Sequence, residues 1–170
     1  MAKYRNAERR GQRKLMKTIT LTKSKVAIVD DEDFEWLSQW KWYCHEPGYA
    51  ARNVRSPKRK IIWMHRLLCN TPEGMETDHI NGNKLDNQKI NLRSCTTSQN
   101  QQNRPCFNNN SSIYKGVSFY KRTSRWNAGI KFSGKKINLG YFDNPVEAAL
   151  AYDEAAKKYF GEFAKTNFPD

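Results

Sequence analysis

The sequence predicts an α+β protein built from two unlike modules, and three observations carry that reading. Residues 76–103 run as a short strand, a polar loop rich in Asn, a returning strand and a helix. Residues 114–142 hold three strand-like runs joined by short turns. A helix with clear start and stop signals follows at 145–160. Between the modules, Asn103-Arg-Pro105 and the Asn-Asn-Asn-Ser-Ser run at 108–112 have no periodicity and read as a linker. The expected layout is a basic leader at 1–17, a first domain at 18–105, a linker at 106–112 and a second domain at 113–170.

The 170 residues suffice for one medium domain or two small ones. Thirty Lys and Arg stand against 17 acids, a formal net charge of +13. No acid occurs between Asp86 and Asp143, a span that carries ten Lys or Arg. A basic stripe of that kind attracts a phosphate backbone and makes its binding salt-dependent. No apolar run is long enough to span a membrane, and the charged N-terminal residues carry no secretory signal, so an intracellular protein is expected. Cys44, Cys69, Cys95 and Cys106 form no CxxC pair and read as free thiols.

Within the leader, Arg9, Arg10, Arg13 and Lys14 suit either phosphate contact or a solubilising tail. Residues 18–22 alternate apolar and hydroxyl side chains, a strand pattern, and 26–29 form a second short strand. Asp30 can cap a helix over 31–39, with Asp33 at its third position. Phe34, Leu37 and Trp40 recur at helical spacing toward a core. Trp42 and Tyr43 lead into another strand. Residues 48–55 and 60–64 flank a Ser-Pro-Lys-Arg turn, a hairpin with a basic tip. Residues 64–69 enter a short helix that must stop before Pro72. His65 there is open to a structural or a functional role.

Residues 76–80 then suit a strand, and 81–87 are turn chemistry: Asn-Gly supplies positive φ, and Asp and Asn bond their own backbone. Residues 90–96 suit the returning strand. Thr97 can cap a helix from Ser98, which puts Asn100 and Asn103 one turn apart. Neighbouring strand residues point to opposite sides, so Asp78 and His79 can address the two ends of an in-line phosphoryl displacement. His79 is the natural base, because its pKa lies near working pH. Asn91 on the facing strand can accept from the other ring nitrogen and fix the tautomer. The Asp78 carboxylate and the Asn100 amide oxygen are hard donors suited to magnesium, with manganese the alternative. By spacing alone, a self-satisfied turn remains the competing reading.

These residues resemble the HNH endonuclease family, in the branch found in phage and mobile-intron homing endonucleases. The matching residues are His65-Arg66, Asp78-His79-Ile-Asn-Gly-Asn83, Asp86-Asn87, Asn91-Leu92-Arg93 and the Asn100 and Asn103 pair. The resemblance continues upstream through Lys25 to Phe34. It implies a ββα-metal fold with added strands and a divalent ion, with His79 as base and Asp78 and Asn100 as metal ligands. It also implies a product with a 5′-phosphate and a 3′-hydroxyl, and a role in the homing of a mobile element.

In the second domain, residues 114–120, 126–132 and 136–142 predict a three-stranded antiparallel meander packed on one helix. Alternation assigns Val117, Phe119, Trp126, Ala128, Ile130, Phe132, Ile137, Leu139 and Tyr141 to one face. The other carries Ser118, Tyr120, Asn127, Gly129, Lys131, Lys136 and Asn138. Asn144 caps the covering helix, Pro145 sits in its first turn, Glu147 completes a capping box and Gly161 ends it. A flat basic sheet face can enter a major groove. Tyr120 is its one clear exposed aromatic, which argues against single-strand stacking.

Tyr114-Lys-Gly-Val117, Leu139-Gly-Tyr-Phe142, Glu147-Ala-Ala, Ala151-Tyr-Asp153 and Asn167-Phe-Pro169 resemble the plant ethylene-response-factor DNA-binding domain. The resemblance implies that the sheet reads DNA. Lys131 and Lys136 fall where the plant domains carry Arg, and Ser118 and Asn138 where they carry Arg and Trp, so the plant target sequence does not carry over. Tyr152 matches a helix tyrosine that contacts the DNA backbone. The residues expected at DNA are Lys115, Ser118, Tyr120, Arg122, Arg125, Asn127, Lys131, Lys136, Asn138 and Tyr152, with Arg66, Arg93 and Asn103 from the first domain. The expected partner is double-stranded DNA, bound by a monomer, with a homodimer as the alternative. The expected activity is metal-dependent endonucleolytic cleavage. The competing function is a DNA-binding regulator whose nuclease fold is idle.

Overall fold

A computed structural model describes residues 15–55, 57–105 and 112–169. The fold is α+β, and it divides into two compact units, residues 1–94 and 95–170. That division falls ahead of the linker marked in the sequence. The leader arginines and Cys106 lie outside the described residues, and the leader's expected end at Lys17 is already inside the first strand.

In the first unit, β1 (Met16–Thr20) and β2 (Val26–Asp30) form an antiparallel hairpin. Helix α1 (Asp31–Leu37) follows directly. A meander of β3 (Tyr43–His45), β4 (Tyr49–Arg55) and β5 (Arg59–Trp63) comes next, then the short α2 (Met64–Cys69). Strands β6 (Glu76–His79) and β7 (Leu92–Cys95) pair as a separate two-stranded sheet. Ile19, Ala27, Val29, Leu37, Trp42, Ala50 and Met64 form one buried cluster under these elements. Fully burying a side chain such as Leu37 or Met64 contributes about 1.5–3 kcal/mol.

The expected cap of α1 is corrected. Asp30 occupies the position before the helix, but its carboxylate makes no cap bond. It accepts instead from Lys89 N at 3.0 Å and Gln88 Nε2 at 3.3 Å. Asp30 is buried, and two donors from a distant loop stabilise a buried carboxylate better than one helix amide with a solvent alternative. Helix α1 also stops at Leu37, short of the expected Gln39.

The second unit begins with α3 (Thr97–Gln102). Its cap is Thr96, one residue earlier than expected, in a full capping box with Gln99. Strands β8 (Val117–Tyr120), β9 (Arg125–Phe132) and β10 (Lys135–Phe142) form the antiparallel sheet, and α4 (Pro145–Phe160) packs on it. The Asn144 side chain caps α4 through Val146 N at 2.8 Å. Ala148, Ala149, Ala155 and Ala156 are buried, and their small side chains let α4 approach the sheet closely.

Two motif residues hold this unit shut. Asp153 accepts from Asn167 N, Asn167 Nδ2 and Phe168 N at 2.8–2.9 Å. Asn167 in turn bonds Lys115 N and O. The chain's C-terminal segment is thereby stitched to the start of β8 through one buried carboxylate. Gly116 has φ 77°, and a Cβ there would lie 1.9 Å from Tyr152 Cδ2. Among the described residues, no helix is long and apolar enough to cross a membrane.

Candidate active site

The loop between β6 and β7 is built by side chains that bond backbone. Asn81 Oδ1 accepts from Asn83 N at 2.8 Å, Asn83 Oδ1 from Leu85 N at 3.1 Å, and Asp86 Oδ1 from Gln88 N at 3.4 Å. These are local turns of the kind Asn and Asp favour. Gly82 supplies the positive φ, at 78°. The loop is also pinned to β2, because Ile28 N donates to Leu85 O and Asn87 N donates to Ile28 O, both at 2.8 Å. The long polar loop is thus tied to a strand edge, with His79 at its base.

His79 is buried at the end of β6. The His65 ring meets it edge-on with centroids 5.2 Å apart, and the Tyr49 ring lies at 5.9 Å. Burial lowers the His79 pKa, while the Asn87 side chain, Asp78 and Asp86 favour its protonated form. His65 is pushed down to about 3, chiefly by burial and then by the charges of His79 and Arg66. Its Nδ1 is buried with no hydrogen-bond partner among the described residues. Burial thus favours the neutral form of both rings, the state a base needs.

The structure differs from expectation at Asn91. Its Oδ1 accepts from Asn81 N at 2.9 Å, and its Nδ2 donates to Asp86 O at 2.8 Å. Both bonds hold the loop, because Asn91 sits in a 3-10 turn (Lys89–Asn91) rather than on the returning strand. The amide that favours protonation of His79 is that of Asn87, whose Nδ2 donates to Leu85 O. Tyr49 and Lys84 complete this wall, with Lys84 Nζ 4.9 Å from the centre of the Tyr49 ring.

Asp78 is buried, and Arg93 grips its Oδ2 through Nε at 2.9 Å and Nη2 at 2.7 Å. An ionised carboxylate offers about four lone-pair sites, so this grip orients the group without exhausting its capacity. A hard carboxylate next to a neutral imidazole fits a divalent cation such as magnesium. Asn100, the other expected ligand, lies on α3 in the second unit. Asp30, Glu32 and Asp33 also gather their carboxylates, but Lys89 Nζ lies 3.0 Å from Glu32 and 2.8 Å from Asp33 and offsets their charge.

Several residues expected at DNA have other occupations. Arg93 is held by Asp78, and Arg66 donates to Met75 O at 2.8 Å. The Lys115 ammonium donates to Gln102 O and Arg104 O at the end of α3. Arg125 pairs with Asp143 at 2.8 Å. Asn103 is buried, and so is Tyr152, which fills the space beneath Gly116 rather than facing outward. Ser118, Tyr120, Arg122, Lys131, Lys136 and Asn138 are exposed. Asn127 is half-buried and bonds Asn138 Oδ1 at 2.7 Å.

The sheet's faces also need one correction. The β9–β10 register slips between Asn138 and Gly140, so Tyr141 pairs with Asn127 instead of falling in step with Leu139. The bulge moves Tyr141 to the polar face. There its ring lies 5.5 Å from that of Tyr120, and both are about 40% exposed. Tyr120 is therefore one of an aromatic pair. An isolated Gly within a strand, Gly140, was the sequence signal for the bulge.

Comparison with known proteins also finds two segments, and the gap between them, at residues 103–111, falls later than the boundary between the compact units. Residues 63–102 match the HNH endonuclease family model, and residues 112–162 match the AP2 domain model. The Arabidopsis thaliana AP2-like ethylene-responsive transcription factor TOE2 is 52% identical over 58 residues, which cover 34% of this chain and 12% of that protein. The Oryza sativa subsp. indica APETALA2-like protein 2 is also 52% identical over 58 residues, 34% of this chain and 13% of its own length. The chain thus spans only about an eighth of these plant relatives. An uncharacterized HNH endonuclease, L560, of Acanthamoeba polyphaga mimivirus is 29% identical over 147 residues, 85% of this chain and 76% of that protein.

Proposed function

From a chain that joins an HNH endonuclease segment to an AP2 domain, we propose a divalent-metal-dependent endonuclease that hydrolyses phosphodiester bonds in double-stranded DNA. The observation that carries this reading is His79, buried next to Asp78 at the end of one strand, where burial lowers its pKa and favours the neutral ring. His79 takes the proton of the attacking water as the oxygen closes on phosphorus. Asn87, against the same ring, stabilises the imidazolium that forms. Arg93 fixes the orientation of Asp78. A divalent cation, held by Asp78, would offset charge on the phosphate and the leaving oxygen. The sheet β8–β10 grips the duplex through Lys131, Lys136 and the Tyr120–Tyr141 pair. By analogy with the family, the ends are a 5′-phosphate and a 3′-hydroxyl, and the biological role is homing of a mobile element.

The test is a plasmid cleavage assay with magnesium and with manganese. His79→Ala should lose cleavage by at least about a hundredfold, the range of general-base catalysis, with DNA binding retained. Equal cleavage by that variant rejects His79 as the base. A wild-type protein that binds DNA and cuts none with either ion supports the regulator reading instead.

A further inference from the structure

We infer that the face of β3–β5 turned away from the core is a second DNA-backbone contact, with Arg55 and Arg59 as its phosphate-binding pair. The inference rests on the endonuclease reading and adds to it a contact surface inside the first unit.

The argument begins with charge. Residues 47–72 contain six Lys or Arg and no acid. The strand register then sets Arg55 directly opposite Arg59. Directly opposed residues share a face, and like charges so placed destabilise a hairpin. An acid on one side would turn that cost into a stabilising pair. Here both guanidinium groups are exposed, and neither makes an ion pair among the described residues. A polyanion supplies the missing countercharge.

The shape of the face agrees. Asn53 lies opposite Ile61 on the same side, and together with Tyr43, His45 and Arg59 they line a shallow concavity of about 480 Å³. Ala50, Cys44 and Ile62, on the opposite side, pack on the core. A concavity with Tyr and Ile walls and Arg at its rim suits a deoxyribose seated between two phosphates. Arg guanidinium binds phosphate oxygens in a planar, bidentate way.

The face also leads to the candidate base. Ring centroids run from His45 to Trp63 at 4.8 Å, from Trp63 to His65 at 6.1 Å and from His65 to His79 at 5.2 Å. Arg59 lies four residues along β5 from Trp63, about 13 Å at the usual strand rise. Measured along the duplex axis, that distance corresponds to roughly four nucleotides of one strand. A strand whose phosphate lies at His79 would run past Trp63 before it reaches the arginine pair.

The test is binding of a labelled duplex by the full chain without divalent ions, over a series of salt concentrations, so that cleavage plays no part. R55Q/R59Q should bind about tenfold more weakly near 0.1 M salt, and the slope of log affinity against log salt should flatten by about 2. R59Q alone should give about half that change in slope. K157Q/K158Q, which removes the same charge from α4, should leave the slope unchanged. The melting temperature of R55Q/R59Q should hold or rise, since the repulsion is relieved. Wild-type affinity and slope in both arginine variants overturn the inference, as does an equal loss in the α4 control. A chain that cuts nothing yet shows the arginine-specific change in slope defeats the endonuclease reading and leaves this surface standing.

Discussion

His65 gives the sharpest physical handle on this site. Its pKa falls from 6.5 to about 3 because its ring is buried beside His79 and Arg66. A histidine whose folded pKa is depressed binds its proton more readily in the unfolded chain. Stability is then full above the unfolded value and is lost as pH falls below it, through the window from 6.5 down to about 3. At pH 5 the unfolded residue lies 1.5 units below its pKa, which corresponds to about 2 kcal/mol of lost stability relative to pH 8. Since pH 5 is still well above the folded value, that figure depends little on where the folded value falls.

The perturbation is His65→Phe, which keeps an aromatic ring against His79 and removes the titration. Urea unfolding at pH 8 and pH 5 measures the effect. Four of the five tryptophans, Trp36, Trp40, Trp42 and Trp63, report on the first unit by fluorescence. The wild type should lose about 2 kcal/mol more than the variant between the two pH values. His79 and the carboxylates contribute to both proteins and largely cancel in the difference. Equal losses would show that His65 is solvated or charged in the folded state, and the neutral aromatic wall behind His79 would fall with it.

Two further outcomes are expected in the second unit. Gly116→Ala should destabilise it by more than about 2 kcal/mol, because a Cβ would strike the Tyr152 ring and the backbone has positive φ; thermal unfolding followed at Trp126 checks this. Tyr141→Ser should weaken duplex binding by about tenfold without lowering the melting temperature, since the ring is exposed beside Tyr120; unchanged affinity would place the DNA elsewhere on the unit.

The sequence made the strands and helices legible because their signals are local. Alternation marks β9, and Asn144 and Pro145 mark the start of α4. The capping box of α3 was also legible, since Thr96 and Gln99 have the required spacing, although Thr97 competes with Thr96 for the cap. Residues decided by tertiary contact were not. Four loop asparagines, Asn81, Asn83, Asn87 and Asn91, have the same chemistry and similar spacing. Tertiary bonds such as the attachment of the loop to Ile28 on β2 separate their roles: Asn87 favours protonation of His79, while Asn91 bonds the loop. Tyr152 illustrates the same limit, because its place under Gly116 depends on how α4 crosses the sheet.

The same distinction sorts the basic side chains, which net charge alone treats as equivalent. A cation that is the partner of a buried acceptor is not available to a phosphate unless that acceptor is abandoned. Arg93 is such a cation, since only 12% of its side chain and 5% of the Asp78 side chain are exposed. Breaking a buried pair by removing one partner typically costs about 3–5 kcal/mol, because the other charge stays behind. Arg93→Met should therefore destabilise the first unit by about that amount and lose cleavage through misplacement of Asp78. Lys131 and Lys136 are exposed and pair with no acid among the described residues, so K131Q/K136Q should leave stability nearly unchanged and lower the salt slope of binding by about 2. Urea unfolding and salt-dependent binding measured on both variants separate the two classes. If Arg93→Met keeps its stability and instead flattens the salt slope, Arg93 faces the phosphates, and the division between structural and DNA-facing cations fails at the residue on which it rests most heavily.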